Sequence, residues 1–294
     1  FPVEKNLSEK LVENGTRAAV AEMIATGTTF ACDMYYHPEV VGRVVADSGI
    51  RAKICGPITD FPTPSYPRGA GQALKKIEGL LAAGSPMPEK IEYGIGTHSV
   101  YTCSEETLLK ASELSRKTGC TLSIHTSETR GEVADCHAKH GMYPIEYLDS
   151  IDYFTEGTIC AHCGWVTKKE MRILSGHGAH AVHCPTSNQK LACGGTMSYP
   201  AMMEAGADVR LGTDGAATSV DSDAHGVVCF LAAWRGVRLL ACSRRDCKCA
   251  ATPKGREGDT RPRARPDGQR AALGRAEHIG GIKGRRSVEA GRVQ

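Results

Sequence analysis

The sequence of 294 residues predicts an α/β fold, a (β/α)₈ barrel without its first strand. Three observations predict this fold. Seven short apolar runs alternate strictly with stretches of helical periodicity, which is typical of βα units and a parallel sheet. The runs are continuously apolar, as strands buried on both faces are. Polar residues cluster where several different runs end, which is where barrels build their active sites.

The predicted elements follow one another in strict order. Strands are expected at 28–36, 50–58, 90–98, 120–128, 157–163, 179–187 and 207–215, and helices at 8–27, 38–49, 72–84, 104–119, 130–141, 143–151, 167–178 and 198–206. Gly27 and Gly49 end two helices, and Ser104 caps another. The alternative is an open doubly wound sheet, which usually has a glycine-rich phosphate loop after its first strand; this sequence has none.

Composition excludes some classes of protein. No run of 18 apolar residues is present, so no membrane span is expected. The thirteen cysteines are scattered, several of them in strand-like runs, which favours a cytoplasmic, reducing compartment over a disulfide-bonded secreted scaffold. Cys160 and Cys163 form a single C-x-x-C with no second pair, and we interpret them as structural. The chain has no initiator methionine, and we expect a piece of a longer protein.

Charge and periodicity divide the chain near residue 225. Residues 235–294 hold 16 of the 36 Lys and Arg but 6 of the 33 Asp and Glu. Helical periodicity stops there, and Arg, Cys, Gly and Pro become more frequent. We interpret 1–224 as the barrel and 225–294 as a basic tail that is disordered or translated out of frame. A nucleic-acid arm is the alternative interpretation of such a tail.

Side chains that can bind metal or transfer protons follow five of the predicted strands. They are His98, His125 with Glu128, His162, His183 and Asp214. A single buried histidine is more often a hydrogen-bonded core residue than a ligand. Five such positions in consecutive units would each cost about 1–3 kcal/mol to bury unsatisfied. A divalent metal shared at one barrel mouth can satisfy several of them. For His183 we favour a role in capping its own strand.

These motifs resemble the amidohydrolase superfamily, in its branch of 5-methylthioadenosine/S-adenosylhomocysteine deaminases and triazine hydrolases. The similar segments are, in order, FPVEKNLS, GTHSVYTCSEE, HTSET, AHC, HCPTSNQKLACG and LGTDGAATS. Each motif alone is weak, but six in the family's order are specific. The resemblance extends from Phe1 to about Asp223.

The resemblance implies a mononuclear metal site. His125 and Asp214 would bind one divalent ion, Zn²⁺ or alternatively Fe²⁺, which lowers the pKa of bound water to about 7 in the case of zinc. Asp214 would also accept the proton of that water. His162 would hydrogen-bond the attacking hydroxide. The fourth strand does not end in lysine, which disfavours a dinuclear site with a carboxylated lysine.

The resemblance also implies how substrate is bound and protonated. Glu128 would contact the heterocycle, protonate the ring nitrogen next to the attacked carbon and supply a proton to the leaving ammonia. His98 would contact the substrate, and Glu4 would contact its ribose. The partner is therefore expected to be a small molecule, with no nucleic acid and no membrane, and a homo-oligomer is compatible with the sequence.

Two departures from the family bear on activity. The family's H-x-H metal-binding pair occurs nowhere in the sequence, and Cys55 stands where a substrate-binding arginine is expected. The leading function is hydrolytic deamination, a hydrolase acting on non-peptide C–N bonds of an adenosine-like nucleoside such as 5′-methylthioadenosine or S-adenosylhomocysteine. The alternatives are a guanine or cytosine deaminase, a triazine hydrolase, a catalytically inactive fragment and a nucleic-acid binder.

Overall fold

A computed structural model describes residues 4–215, and the account below concerns those residues. Seven parallel strands form one sheet, and each strand pairs with the next strand along the chain. The strands are β1 (Phe30–Asp33), β2 (Arg51–Ile58), β3 (Ile91–Thr97), β4 (Leu122–Thr126), β5 (Ile159–His162), β6 (His180–His183) and β7 (Asp208–Leu211). The predicted incomplete barrel, with seven strands between residues 28 and 215, is confirmed.

Helices connect successive strands. After a 3₁₀ turn at Glu4–Asn6, the described residues contain α1 (Glu9–Ala25), α2 (Pro38–Ser48), α3 (Ala70–Ala83), α4 (Glu105–Thr118), α5 (Arg130–His140), α6 (Pro144–Ser150), α7 (Lys168–Gly176), α8 (Pro185–Lys190) and α9 (Tyr199–Glu204). None of these helices is long and apolar enough to span a membrane.

Local sequence explains where the helices begin. The side chains of Ser8, Ser104, Thr129 and Thr167 accept a hydrogen bond from a backbone N–H in the first turns of α1, α4, α5 and α7. Proline occupies an early position of α2, α6, α8 and α9, where its missing N–H costs nothing. The predicted helix starts are therefore close to those observed.

The side chains of each strand point to two opposite faces of the sheet, and those on one face pack against the helices. Leu122 and Ile124 of β4 are fully buried and pack in the cluster formed with the helices. Because successive side chains of a strand point to opposite faces, His125 points away from that cluster. The same alternation separates Thr97, whose hydroxyl lies 2.6 Å from the Tyr153 hydroxyl, from His98. His98 and His125 thus share the face opposite the helices.

The observed strands are shorter than the predicted ones, and one predicted strand runs into a helix. The expected strand 179–187 ends at His183, and Pro185–Lys190 forms α8 instead. Proline fixes its own φ near −65°, which suits the first turn of a helix, and it offers no N–H to a central strand. The correction moves Ser187 and Asn188 from a strand to a helix. The predicted tail at 225–294 lies outside the described residues.

Candidate active site

Three imidazoles lie side by side where β3, β4 and β5 end. The ring centroids of His98 and His125 are 5.1 Å apart, and those of His125 and His162 are 5.5 Å apart. These separations are close to the spacing of neighbouring strands, about 4.8 Å. The parallel register pairs Thr126 with His162, which brings the ends of β4 and β5 level. The predicted convergence of these three histidines is therefore observed.

The hydrogen bonding of His125 leaves one ring nitrogen available. Its Nδ1 lies 2.8 Å from the backbone carbonyl oxygen of His98. A carbonyl oxygen can only accept, so Nδ1 carries the proton and donates. The lone pair of Nε2 then remains for a metal ion, which is the arrangement that metal-binding histidines normally show.

His162 is also held through its Nδ1 atom, but as an acceptor. Its side chain is buried, and the amide nitrogen of Asn188 lies 3.2 Å from its Nδ1. Because that amide donates, Nδ1 is the acceptor and Nε2 carries the proton of the neutral ring. Nε2 lies 3.8 Å from Oε2 of Glu128. Burial lowers the pKa of His162, while the charges of Glu128 and Asp214 act in the opposite direction.

The left-handed backbone of His162 places its side chain on the face that carries His98 and His125. Two residues earlier, Cys160 packs in the helix-facing core, and regular alternation would send the residue 162 side chain to the same side. His162 instead has φ of 73°. A non-glycine residue in this region is uncommon and is found most often at functional sites.

His98 completes the row as a neutral ring. Its Nδ1 lies 3.0 Å from the hydroxyl of Thr102 and 3.2 Å from that of Ser99. Burial, followed by the neighbouring His125 and His162, lowers the pKa of His98 to about 4. Near neutral pH the ring is therefore uncharged and can accept or donate a hydrogen bond to a bound molecule.

Glu128 follows β4 in a tight turn. Ser127 has φ of 52°, and Glu132 accepts the backbone N–H groups of both Ser127 and Glu128. The Glu128 side chain is 18% exposed, and the Cys193 thiol lies 3.7 Å from its Oε1. Burial raises the pKa of Glu132 to about 7, against the three backbone amides that lower it. The turn thus directs a partly exposed carboxylate toward His162.

Asp214 follows β7 and is also left-handed, with φ of 61°. The hydroxyl of Ser187 donates to its Oδ2 at 2.6 Å, and the backbone N–H of Gly215 donates to its Oδ1 at 2.7 Å. Each oxygen keeps a lone pair after this one hydrogen bond. The carboxylate can therefore still bind a cation.

Two further predicted residues lie near the strand ends. Glu4 is in the 3₁₀ turn and accepts a hydrogen bond of 3.3 Å from the Tyr35 hydroxyl, beyond the end of β1. His183 ends β6, and its Nδ1 is buried without a hydrogen-bond partner among residues 4–215. Burial, followed by His162, lowers the pKa of His183 to about 4. Its favoured role in capping its own strand stays a prediction.

The donors present suit a divalent metal of intermediate softness. A neutral imidazole nitrogen on His125 and a carboxylate on Asp214 are ligands that zinc accepts.

A separate group of side chains also meets the spacing expected of metal ligands. One ligand atom from each of Glu9, His37 and Glu39 lies within 4.8 Å of the others, and in the described part of the chain no other group of three does so. That group contains neither His125 nor Asp214.

Sequence reasoning missed Glu132 and Ser187 as supports of this site, and it predicted for Asn188 only a role in ordering its own loop. Glu132, Ser187 and Asn188 hold Glu128, Asp214 and His162 respectively. Glu132 stands three positions after Thr129, the spacing of a capping box, which offered a local signal. The contacts of Ser187 and Asn188 join different strand ends, so no local pattern announced them.

The chain is similar to known proteins over most of its length. The amidohydrolase family model matches residues 3–255. This chain belongs to the amidohydrolase family. A 5′-deoxyadenosine deaminase of Methanopyrus kandleri is 36% identical over 223 residues, which are 76% of this chain and 51% of that protein. A 5-methylthioadenosine/S-adenosylhomocysteine deaminase of Aquifex aeolicus is 38% identical over 222 residues, 74% of this chain and 50% of that protein.

Solved structures agree with the family assignment. The chain is similar to an adenosine deaminase from Xanthomonas campestris with bound zinc, with a TM-score of 0.72 and 30% identity over 76% of this chain and 51% of that one. This amidohydrolase spans about half the length of the curated relatives that it matches. The predicted family resemblance is thereby confirmed.

Proposed function

We propose that the protein is a metal-dependent hydrolytic deaminase of adenosine-like nucleosides, 5′-methylthioadenosine or S-adenosylhomocysteine among them. The observation that carries the proposal is the pairing of the Glu128 carboxylate with the neutral His162 imidazole, 3.8 Å apart, next to a His125 ring whose Nε2 is available. Relatives at 36–38% identity are named as deaminases of this substrate class.

His125 and Asp214 would hold a divalent ion, Zn²⁺ with Fe²⁺ as the alternative, which supplies an acidified water for attack on the ring carbon. The hydrogen bond from His125 to the His98 carbonyl orients the ring for this task. Each carboxylate oxygen of Asp214 keeps one lone pair after its hydrogen bond, and this lone pair can accept the proton of that water. Zinc in a relative's structure supports the choice of metal.

Proton transfer to the heterocycle falls to Glu128. Its carboxyl group is partly exposed beside His162, so it can reach a ring nitrogen of a bound base and later the departing ammonia. His162, with the proton on Nε2, would donate to the oxygen that becomes negative during attack. His98 would contact the base, and Glu4 the ribose. These side chains divide metal binding, proton transfer and substrate contact among themselves.

The experiment compares two variants of a longer protein that adds the family's H-x-H pair and is loaded with metal. Glu128→Gln should retain metal and lose about 10²–10⁴-fold in ammonia release, because it removes the acid and keeps the ligands. Asp214→Asn should lose metal and turnover together. The substrates are 5′-methylthioadenosine, S-adenosylhomocysteine and 5′-deoxyadenosine, with guanine and a triazine as comparison compounds. Full turnover in Glu128→Gln would contradict the proposal.

The setting of the enzyme is part of the proposal. The nine cysteines of the described residues are free thiols, and most are buried. Free buried thiols are typical of a reducing compartment, so we infer a cytoplasmic location. The partner in this proposal is the small-molecule substrate, without nucleic acid or membrane, and a homo-oligomer is compatible with it.

A further inference from the structure

The turn that carries Glu128 is held by a second glutamate. Oε1 of Glu132 accepts the Ser127 N–H at 2.9 Å, and Oε2 accepts the Glu128 N–H at 2.8 Å. Glu132 is buried, with 6% of its surface exposed. Both carboxylate oxygens are therefore used by the two residues that form the turn.

This arrangement differs from an ordinary helix cap. In a capping box the third residue of the helix bonds to the N–H of the cap residue itself. Thr129 caps α5 and accepts the Glu132 N–H at 3.1 Å, but Glu132 reaches past Thr129 to the two residues before it. The hydrogen bonds of 2.9 and 2.8 Å therefore hold the carboxylate to the turn that ends in Glu128.

The turn needs such support because its backbone is strained. Ser127 has φ of 52°, a conformation that costs a non-glycine residue on the order of 1 kcal/mol or more. The backbone carbonyl oxygen of Ser127 accepts a hydrogen bond from the backbone N–H of Trp165 at 3.0 Å. The turn is therefore held between the loop after β5 on one side and Glu132 on the other.

We propose that Glu132 is a positioning residue, whose two hydrogen bonds to the Ser127–Glu128 turn set the direction of the Glu128 carboxylate toward His162. The proposal rests on the proposed function for the role of Glu128 in turnover. The structural claim, that Glu132 holds the turn, is independent of the proposed function and can be tested on the chain without substrate.

The test uses Glu132→Gln, which keeps the shape of the side chain. Glutamine has one acceptor oxygen, so its amide nitrogen would face one of the two N–H groups, and one hydrogen bond must be lost. Glu170 provides a matched control. It is fully buried in the first turn of α7 and accepts the backbone N–H groups of Thr167 and Ile145 at 2.8 and 3.1 Å. Glu170 contacts none of the candidate site residues in these two hydrogen bonds.

The first measurement is amide hydrogen exchange of the full chain, resolved by residue. In Glu132→Gln, exchange at Ser127, at Glu128 or at both should become about tenfold faster or more, as expected for the loss of a buried hydrogen bond. In Glu170→Gln, faster exchange should appear at Thr167 and Ile145 and not at the turn. Unchanged exchange at Ser127 and Glu128 in Glu132→Gln, or equal loosening of the turn in both variants, would overturn the proposal.

The second measurement is steady-state ammonia release with metal bound. Glu132→Gln should lower kcat about tenfold or more and leave KM within about threefold, because binding contacts persist while the proton donor is misdirected. Glu170→Gln should preserve both constants. Unchanged kcat in Glu132→Gln would refute the positioning role. If wild type released no ammonia, the proposed function would fail, and hydrogen exchange alone would decide the role of Glu132.

Discussion

What each histidine at the strand ends can do depends on which of its ring nitrogens carries the proton. Asn188 donates to Nδ1 of His162, which leaves the proton on Nε2, facing Glu128. His125 shows the opposite tautomer, with the proton on Nδ1 and the Nε2 lone pair free. Two neighbouring rings therefore offer one N–H donor and one free ring nitrogen, and the choice is made by a side-chain amide in one case and by a backbone carbonyl in the other.

Asn188→Asp should reverse the tautomer of His162. Its carboxylate oxygens can only accept, so the proton would move to Nδ1 and Nε2 could no longer donate as a neutral ring. We expect turnover to fall at least about tenfold, the value of one lost hydrogen bond of about 1.4 kcal/mol. Zinc content should be unchanged, and it is measured on the same sample. Turnover equal to that of wild type would exclude this role for Asn188.

Asp33 should make the stability of the chain depend on pH. Its Oδ2 is buried without a hydrogen-bond partner among the described residues, and burial raises the pKa of Asp33 from 3.8 to about 6. A raised carboxyl pKa means that the protonated form is favoured in the folded state. The free energy of unfolding should therefore fall by on the order of 2–3 kcal/mol as the pH rises from 4 through 6.

Asp33→Asn should remove that fall, because an amide does not ionise. Urea unfolding at pH 4.5 and pH 7 of wild type, Asp33→Asn and Asp135→Asn measures the difference. Asp135 is an exposed carboxyl on α5, and its replacement should leave the pH dependence of stability as in wild type. Equal pH dependence in wild type and Asp33→Asn would show that Asp33 ionises freely.

At the scale of the elements, the helix starts are set by individual caps. Thr167 accepts the Glu170 N–H at 3.2 Å, and Glu170 accepts the Thr167 N–H in return, which makes a capping box at the start of α7. Thr167→Ala should lower the free energy of unfolding by about 1 kcal/mol. Thr167→Ser keeps the hydroxyl and should cost less. Urea unfolding curves compare them, and equal losses would assign the effect to the methyl group.

The sequence predicts elements well where local chemistry decides them. Apolar runs that alternate with stretches of helical periodicity located the strands. Ser104 and Gly49 marked a helix start and a helix end. The strand expected at 179–187 was wrong past His183, because an apolar run alone does not show where Pro185 begins a helix. The supports at Ser187 and Asn188 join residues far apart in the chain. Such contacts depend on how the sheet curls, and no short motif contains that information.

At the scale of the molecule, the number of metal ligands limits what the chain can bind. A catalytic zinc usually has three protein ligands plus water, and in our proposal His125 and Asp214 would supply two. We expect the 294-residue chain to retain less than one equivalent of zinc after dialysis. A longer protein that adds the family's H-x-H pair should retain one. Metal analysis by mass spectrometry measures both.

The variants His125→Gln and His37→Gln show where retained zinc is bound. Zinc lost in His125→Gln and kept in His37→Gln would place the ion at the strand ends. The reverse result would assign it to Glu9, His37 and Glu39, whose ligand atoms lie within 4.8 Å of one another. One tight equivalent in the 294-residue chain, lost in His125→Gln, would contradict the expectation of weak binding.

The sheet order has a consequence for how the chain folds. Each strand pairs with the strand that follows it along the chain, so every βα unit can dock onto the unit made just before it. Contacts between near neighbours in sequence close short loops, which costs less entropy and speeds folding. During synthesis the units from β1 to β7 can therefore assemble one by one as they leave the ribosome, without waiting for the end of the chain.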